Sequence, residues 1–413
     1  MKRLIRSIVF LFVLTVGTSA VASSKKDFTQ YVDPMIGTAF TGHTFPGAVY
    51  PFGMIQLSPD TKLSGWEVCS GYHYDEPYIY GFSHTHLNGT GCADLCDVLF
   101  QPVANYGQQG IEGDTYRSEY DHSNEYATPG YYRVSLDRWH TTAELTTGQR
   151  AAMHHYLYPA KIQGKNLDAE IIVDLTHRDA LIDGEFKVVD DHTVCGYRRS
   201  RSWAADHSVY FWAEFSEPIT DSRIEESTFT TPKGEKRTRP VKALLRFGKK
   251  SDVYVRIAIS SVSEENARLN LRSELAPSKQ FKKQFKQMTA STKAAWNGFL
   301  GKIEGEAADH VRTTDGTLYK ADEQLTSFYT ALYHTAIAPC LFSDVNGQYR
   351  GMDGEVHTSQ GHDQYTVFSL WDTYRCTHQL FTLLWPDRQE QMVQSMLQMY
   401  RESGWLPKWE LYG

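Results

Sequence analysis

One change in hydrophobic pattern constrains this chain more than any other feature. Up to Ser260 the apolar residues alternate or come in short blocks, and from Ser261 onward they recur every three or four residues. Ala169 to Leu175 forms a short apolar block of the buried-strand kind. His207 to Phe215 puts Val209, Phe211, Ala213 and Phe215 on one face and Tyr210 and Trp212 on the other. Val253, Val255, Ile257 and Ile259 alternate in the same way. A period of two is the signature of strands, since successive side chains point to opposite faces. Many such segments with no helical pattern between them predict an antiparallel β-sandwich, preceded by a loop-heavy stretch rich in Gly, Pro, His and Thr from Tyr31 to about Asn105.

The later period belongs to helices. Ser261 and Glu264 have capping-box spacing, and Phe281, Phe285, Met288, Trp296, Phe299, Leu300 and Ile303 then follow at helical intervals with lysines opposite. That pattern predicts a one-sided helix packed on something larger. Three more helices are expected after Gly305, marked by Leu325 to Ala336, by Val367 to Phe381, and by a segment from a capping box at Asp387 and Glu390 to Gly404. The predicted organisation is a signal peptide at 1–22, a β-sandwich at 23–262, a helical linker at 263–310 and the start of a helical barrel at 311–413. At about 15 residues per helix and roughly 6 per loop, that last part holds about five helices, whereas a closed double ring of twelve needs roughly 250 residues. The barrel is therefore expected to be incomplete.

Residues 1–22 carry Lys2, Arg3 and Arg6, an apolar run from Ile8 to Val16 and the small-residue site Ala20-Val21-Ala22. This is the layout of an export signal, too short to span a bilayer. It predicts a protein of the periplasm, cell surface or medium. A formal charge of -7 without a basic run excludes a nucleic-acid binder. At 13% aromatic residues the chain has ample material for packed cores. The six cysteines, at 69, 92, 96, 195, 340 and 376, are too sparse for a disulfide framework and are expected to be mostly buried.

Five segments carry candidate chemistry. Gly42 to Gly53 (GHTFPGAVYPFG) has turn chemistry and core aromatics. In Gly65 to Tyr74 (GWEVCSGYHY), Trp66 is the kind of ring on which a pyranose stacks, or else a half-buried edge filler. Ser83 to Cys96 brings His84, His86, Cys92 and Cys96 within a few residues, which admits a zinc reading. Their spacing is not that of zinc fingers, so loop histidines bonding a polar ligand or backbone are favoured. In Ser359 to Arg375, Asp372 lies four residues after Phe368 on an apolar face, either paired with Arg375 or gripping substrate hydroxyls at a barrel mouth. Gly404 to Leu411 (GWLPKWEL) sets two Trp and a Glu in a loop between helices.

Together the stretches YVDPMIGT (31–38), GHTFPGAVYPFGMIQLSPDT (42–61), GYHY and GFSHTHLNGTGC (71–92), YTVFSLWDTYR (365–375) and GWLPKWEL (404–411) resemble glycoside hydrolase family 92, the calcium-dependent exo-α-mannosidases. The resemblance implies a β-sandwich, a helical linker and an (α/α)6 barrel. It also implies hydrolysis of terminal α-linked mannose, α1,2 linkages foremost, from N-glycans or mannans with inversion. Trp66, Cys69, Trp371, Asp372, Arg375, Trp409 and Glu410 are the substrate-binding candidates it yields. The catalytic acid and base, and most ligands of the calcium cofactor, are expected beyond Gly413, with no metal ligand assigned in this chain. Its partner would be a mannose-containing glycan, and the complete protein a monomer. A non-catalytic mannose-binding module is the alternative.

Overall fold

The computed structural model describes residues 26–413 apart from Gln163, so the predicted signal at 1–22 lies outside the described residues. Two antiparallel sheets dominate the first part. One has seven strands in the order Ala48–Val49, Gln56–Asp60, Gly81–Ser83, Leu99–Ala104, Ala169–Asp174, Lys236–Gly248 and Asp221–Thr230. The other has eight, in the order Ala180–Asp190, Thr193–Arg201, His207–Phe215, Asp252–Ser260, Ala151–Leu157, Thr141–Thr147, Tyr131–Leu136 and Tyr126–Thr128.

Alternation decides which face of each strand is buried. Ile171, Val173 and Leu245 from the first sheet share a core with Val209, Phe211, Val255 and Ile257 from the second. Phe100 meets Phe211 edge-on across that core, at a centroid distance of 6.3 Å. The second sheet is apolar on its outer face as well, because Ala151, Met153, Tyr254 and Ala258 pack beneath Leu271, Phe281, Phe285 and Met288. These last residues come from helices Glu264–Glu274 and Phe281–Leu300, so the one-sided helix expected from sequence lies on the sheet.

Helices Ala321–Thr335, Thr377–Leu384 and Pro386–Ser403 follow, among short hairpins at His310–Lys320 and Gln348–Thr358. Three local expectations change. The first helical cap is Ser263, whose Oγ accepts from Asn266 N at 3.1 Å, while Ser261 Oγ accepts from Arg350 N. The last helix starts at Pro386, with Trp385 at the cap, so Asp387 lies inside it and the expected box does not form. Between them, Val367 and Ser369 adopt left-handed backbone (φ 60° and 47°). The continuous helix expected over 367–381 is therefore broken into Leu370–Thr373 and Thr377–Leu384. Gly404 ends its helix in the left-handed region, as read from sequence.

The GHTFPGAVYPFG segment joins the two parts. Phe52 N donates to Ala336 O at 2.6 Å, Leu341 N donates to Phe52 O at 3.0 Å, and the buried Phe52 ring touches Phe299 and Phe381. Trp296 Nε1 donates to Val49 O at 2.7 Å. The five buried or partly buried cysteines and the exposed Cys376 are all free thiols.

Candidate functional site

A line of contacts runs from the sandwich loops to the helical segment. Trp66, half exposed, donates its Nε1 to Gly91 O at 3.0 Å. Cys69 is buried beneath it, with Sγ against Trp66 O at 2.8 Å. Two residues past Gly91, Ala93 O accepts from Ser202 Oγ at 2.7 Å. The next residue, Trp203, meets the Trp409 indole edge-on at 4.4 Å. Trp409 Nε1 donates to Ser369 Oγ at 2.6 Å, and Ser369 Oγ in turn donates to Asp372 Oδ2 at 2.8 Å. Trp371 is exposed, with the Lys408 ammonium 5.7 Å from its ring centre. The result is an open aromatic face built from both parts of the chain. Exposed apolar area of this kind is a contact surface, for a ligand or for another segment of protein.

Asp372 is not on a buried face. Its helix is only four residues long, so the i to i+4 relation to Phe368 that sequence spacing implied does not exist. Among the described residues no ion pair joins Asp372 to Arg375, which is exposed and lies 5.6 Å from the Tyr374 ring. Glu410 is the buried carboxyl instead. Its Oε1 accepts from Phe368 N at 2.8 Å, Oε2 has no partner, and burial pushes its pKa up to about 7.

Two residues that sequence reasoning did not single out belong to this face. Trp203 lies at the turn between strands Thr193–Arg201 and His207–Phe215; a tryptophan flanked by Arg, Ser and Ala in a turn was the available signal. His43 packs edge-on against Trp66 at 4.4 Å, and both of its ring nitrogens are buried without a partner. Burial lowers its pKa and keeps the imidazole neutral, able to donate or accept one hydrogen bond to a hydroxyl.

Beneath the face the sandwich holds ionisable side chains packed among themselves. His84 Nε2 faces His154 Nε2 at 3.1 Å, deep in the core. His86 instead meets Asp60 at 3.1 Å, with Cys96 close by, while Cys92 is outside that group. The four residues of the zinc reading thus do not converge. Asp60 also meets His177 at 3.1 Å. Burial would raise the Asp60 carboxyl, but His86 and His177 outweigh it and hold it well below the usual range. Farther along, the fully buried Arg198 contacts Asp97 at 3.1 Å and donates to His177 O at 2.6 Å.

Residues 31–260 match the glycosyl hydrolase family 92 N-terminal domain, and residues 266–413 match the family 92 catalytic domain. The chain belongs to glycosyl hydrolase family 92. This family 92 chain is similar to an α-mannosidase of the same family from Bacteroides thetaiotaomicron. The two are 34% identical with a TM-score of 0.82, over 94% of this chain and 52% of the other. That enzyme has also been solved with mannoimidazole bound. An inverting mannosidase of the same organism is 27% identical, with a TM-score of 0.76 over 94% of this chain and 50% of that one. An uncharacterised secreted glycosidase of Arthroderma benhamiae is 26% identical over 398 residues, 88% of this chain and 48% of that protein. The family 92 chain thus spans about half the length of these relatives. No helix among its described residues is long and apolar enough to cross a membrane.

Proposed function

We propose that this chain forms the mannose-binding part of an exported, exo-acting α-mannosidase that removes terminal α-linked mannose, α1,2-linked above all, from N-glycan or mannan chains with inversion. The observation that carries this reading is the Trp203–Trp409 contact, which joins sandwich and helical segments into one exposed aromatic face. Trp66 stacks on the apolar face of the sugar, Trp371 flanks it, and the Asp372 carboxylate accepts from its hydroxyls. Arg375, exposed three residues after Asp372, supplies a donor to the same sugar, while Cys69 and Glu410 support the face from beneath. The sandwich spans 23–262, a helical linker 263–310, and 311–413 begins an (α/α)6 barrel. The complete protein acts as a monomer in the periplasm or outside the cell.

Inversion needs one carboxylic acid to protonate the leaving oxygen and a carboxylate base to activate water on the opposite face. We assign neither role within residues 26–413. Asp372 Oδ2 accepts from Ser369 and Glu410 Oε1 from the Phe368 amide, which leaves one oxygen of each to face a sugar hydroxyl, a binding role. These residues do not fit a calcium site either, since calcium takes six to eight oxygens and the face offers two separately engaged carboxyls. In this reading the calcium, acid and base are supplied from outside residues 26–413.

The same two engaged carboxyls favour a second reading, a mannose-binding module that does not hydrolyse. Calorimetric titration of the chain with methyl α-mannoside separates the outcomes. Binding is expected, weakened about tenfold or more by Trp66→Ala or Asp372→Ala. Absence of binding sinks both readings. Mannose release by the chain, abolished by EDTA, would overturn the placement of acid, base and calcium elsewhere.

A further inference from the structure

Directly below the Trp203 loop, one donor atom from each of Asp94, Asp179 and His207 lies within 4.8 Å of the others, and all three residues are buried. Asp94 comes from the segment that carries Gly91 and Ala93, Asp179 from the end of the loop after strand Ala169–Asp174, and His207 from the start of strand His207–Phe215. Two of the donors are orphans. His207 Nδ1 and Asp179 Oδ2 have no hydrogen-bond partner, although burying a polar atom unpaired is costly.

The histidine is already set up as a ligand. Its Nε2 faces both oxygens of Asp97 at 3.2 Å, so a proton on Nε2 leaves the Nδ1 lone pair turned toward Asp94 Oδ1 at 3.9 Å. A carboxylate holding the far nitrogen of an imidazole is the usual outer shell of a histidine that binds a metal. An ion about 2.1 Å from each of two ligand atoms needs them no more than about 4.2 Å apart, which that spacing meets.

The surrounding formal charges also leave an excess of anion. Asp94, Asp97 and Asp179 face two guanidinium groups, Arg198 against Asp97 and Arg178 in the field of Asp179, so carboxylates outnumber cations in a buried cluster. His207 Nδ1 and Asp94 Oδ1 lie 3.9 Å apart, beyond hydrogen-bond reach, so a proton between them does not satisfy both.

The neighbouring Asp60, His86 and Cys96 group makes a weaker case. Asp60 Oδ1 is hydrogen-bonded to His86 Nε2 at 3.1 Å, while Asp60 Oδ2 lies 3.1 Å from His177 Nε2 without hydrogen-bond geometry. That group offers a single carboxylate, with the Arg178 guanidinium and two imidazoles beside it, against the two carboxylates of the Asp94 and Asp179 pair.

We propose that Asp94, Asp179 and His207 bind one structural divalent transition-metal ion, zinc or manganese, that pins the Trp203 loop to the sandwich. Two carboxylate oxygens and an imidazole nitrogen suit those ions better than calcium. The ion would hold Asp94, whose Oδ2 accepts from Ala204 N at 2.7 Å and so fixes the backbone next to Trp203. This inference is independent of the mannosidase reading, because its test does not involve a sugar.

The experiment is metal analysis of the purified chain after dialysis against EGTA, followed by titration of stripped protein with zinc chloride and manganese chloride. Close to one equivalent of zinc or manganese per chain is expected, and stripped protein should regain a higher Tm as the added metal saturates at that ratio. His207→Gln and Asp179→Asn should lose the metal, and Asp60→Asn should keep it. Cobalt substitution of the wild-type chain should give visible d–d bands, which keeps the test open if either variant fails to fold. No bound metal with no metal-dependent rise in Tm, or metal lost in Asp60→Asn and kept in Asp179→Asn, overturns the proposal.

Discussion

The Trp203 and Trp409 indoles meet edge-on, 4.4 Å between ring centres with an interplanar angle of 82°. They are 206 positions apart and belong to different halves of the chain, so this contact sets how the sandwich loops and the helical segment share one face. An edge-to-face pair places the positive ring edge on the negative ring face. Its coupling is expected at about 0.5–1.5 kcal/mol beyond simple burial. A double-mutant cycle of Trp203→Ala and Trp409→Ala, read by urea unfolding, checks it, and additive single effects would count against a direct contact.

Arg198 and Asp97 form a fully buried ion pair. Burial would raise the Asp97 carboxyl, but His207 and Arg198 hold it well below the usual range. Removing one partner leaves the other as an uncompensated charge. Arg198→Met is therefore expected to cost about 3–5 kcal/mol in chemical denaturation. A loss under 1 kcal/mol would show that the carboxylate finds another partner or takes up a proton at little cost.

Two buried glutamates set a pH dependence. Burial pushes Glu410 and Glu274 up to about 7 from an ordinary 4.5, against hydrogen bonds from backbone amides. With folded values above unfolded ones, these two groups bind more protons in the folded chain between about pH 4.5 and 7, so their contribution to stability falls as pH rises through that window. A rise of 2.5 pKa steps corresponds to roughly 3 kcal/mol per group as an upper bound. His84 and His334, pushed down to about 4 by burial, slope the opposite way over the same interval, so the test is a difference between two proteins. The stability of wild type relative to Glu410→Gln, read by urea unfolding, should fall as pH rises from 4.5 to 7.5, and a difference that climbs would contradict the assignment.

Gly71 has left-handed backbone (φ +85°), and a Cβ there would lie 2.2 Å from Asp60 Oδ1 and 2.6 Å from the His86 ring. Gly71→Ala combines backbone strain with a clash against a packed, charged pair. A loss of roughly 2–4 kcal/mol is expected by thermal or urea unfolding. A variant as stable as wild type would mean that the Asp60–His86 pair has room to move.

Strand and helix identity was legible wherever one face is uniformly apolar. His207 to Phe215 and Phe281 to Leu300 read correctly because a period of two or of 3.6 survives any detail of packing. The site was legible only in part. Trp66 could be named as an exposed aromatic between glycines and tyrosines, whereas Trp371 belonged to an apolar helical pattern and its exposure came only with the structure. Asp372 was misplaced because spacing along an assumed helix says nothing once Val367 and Ser369 turn left-handed. Glu410 was named, but its burial was not foreseeable, since it depends on a hydrogen bond to Phe368, 42 positions away.

The sequence by itself determined that a β-rich half precedes a helical half, that the family 92 motifs run through both, and which strand faces are buried. These are local properties, set by side-chain periodicity and by residues that act within a turn or a few positions. Tertiary structure alone decided that Trp203 joins Trp409, that His84 pairs with His154 instead of His86, and that Asp94, Asp179 and His207 converge. Each of those contacts depends on how separate strands and loops are laid across one another. Hydrophobic burial drives the sheets together without regard to direction, and only the completed packing fixes which polar groups meet inside.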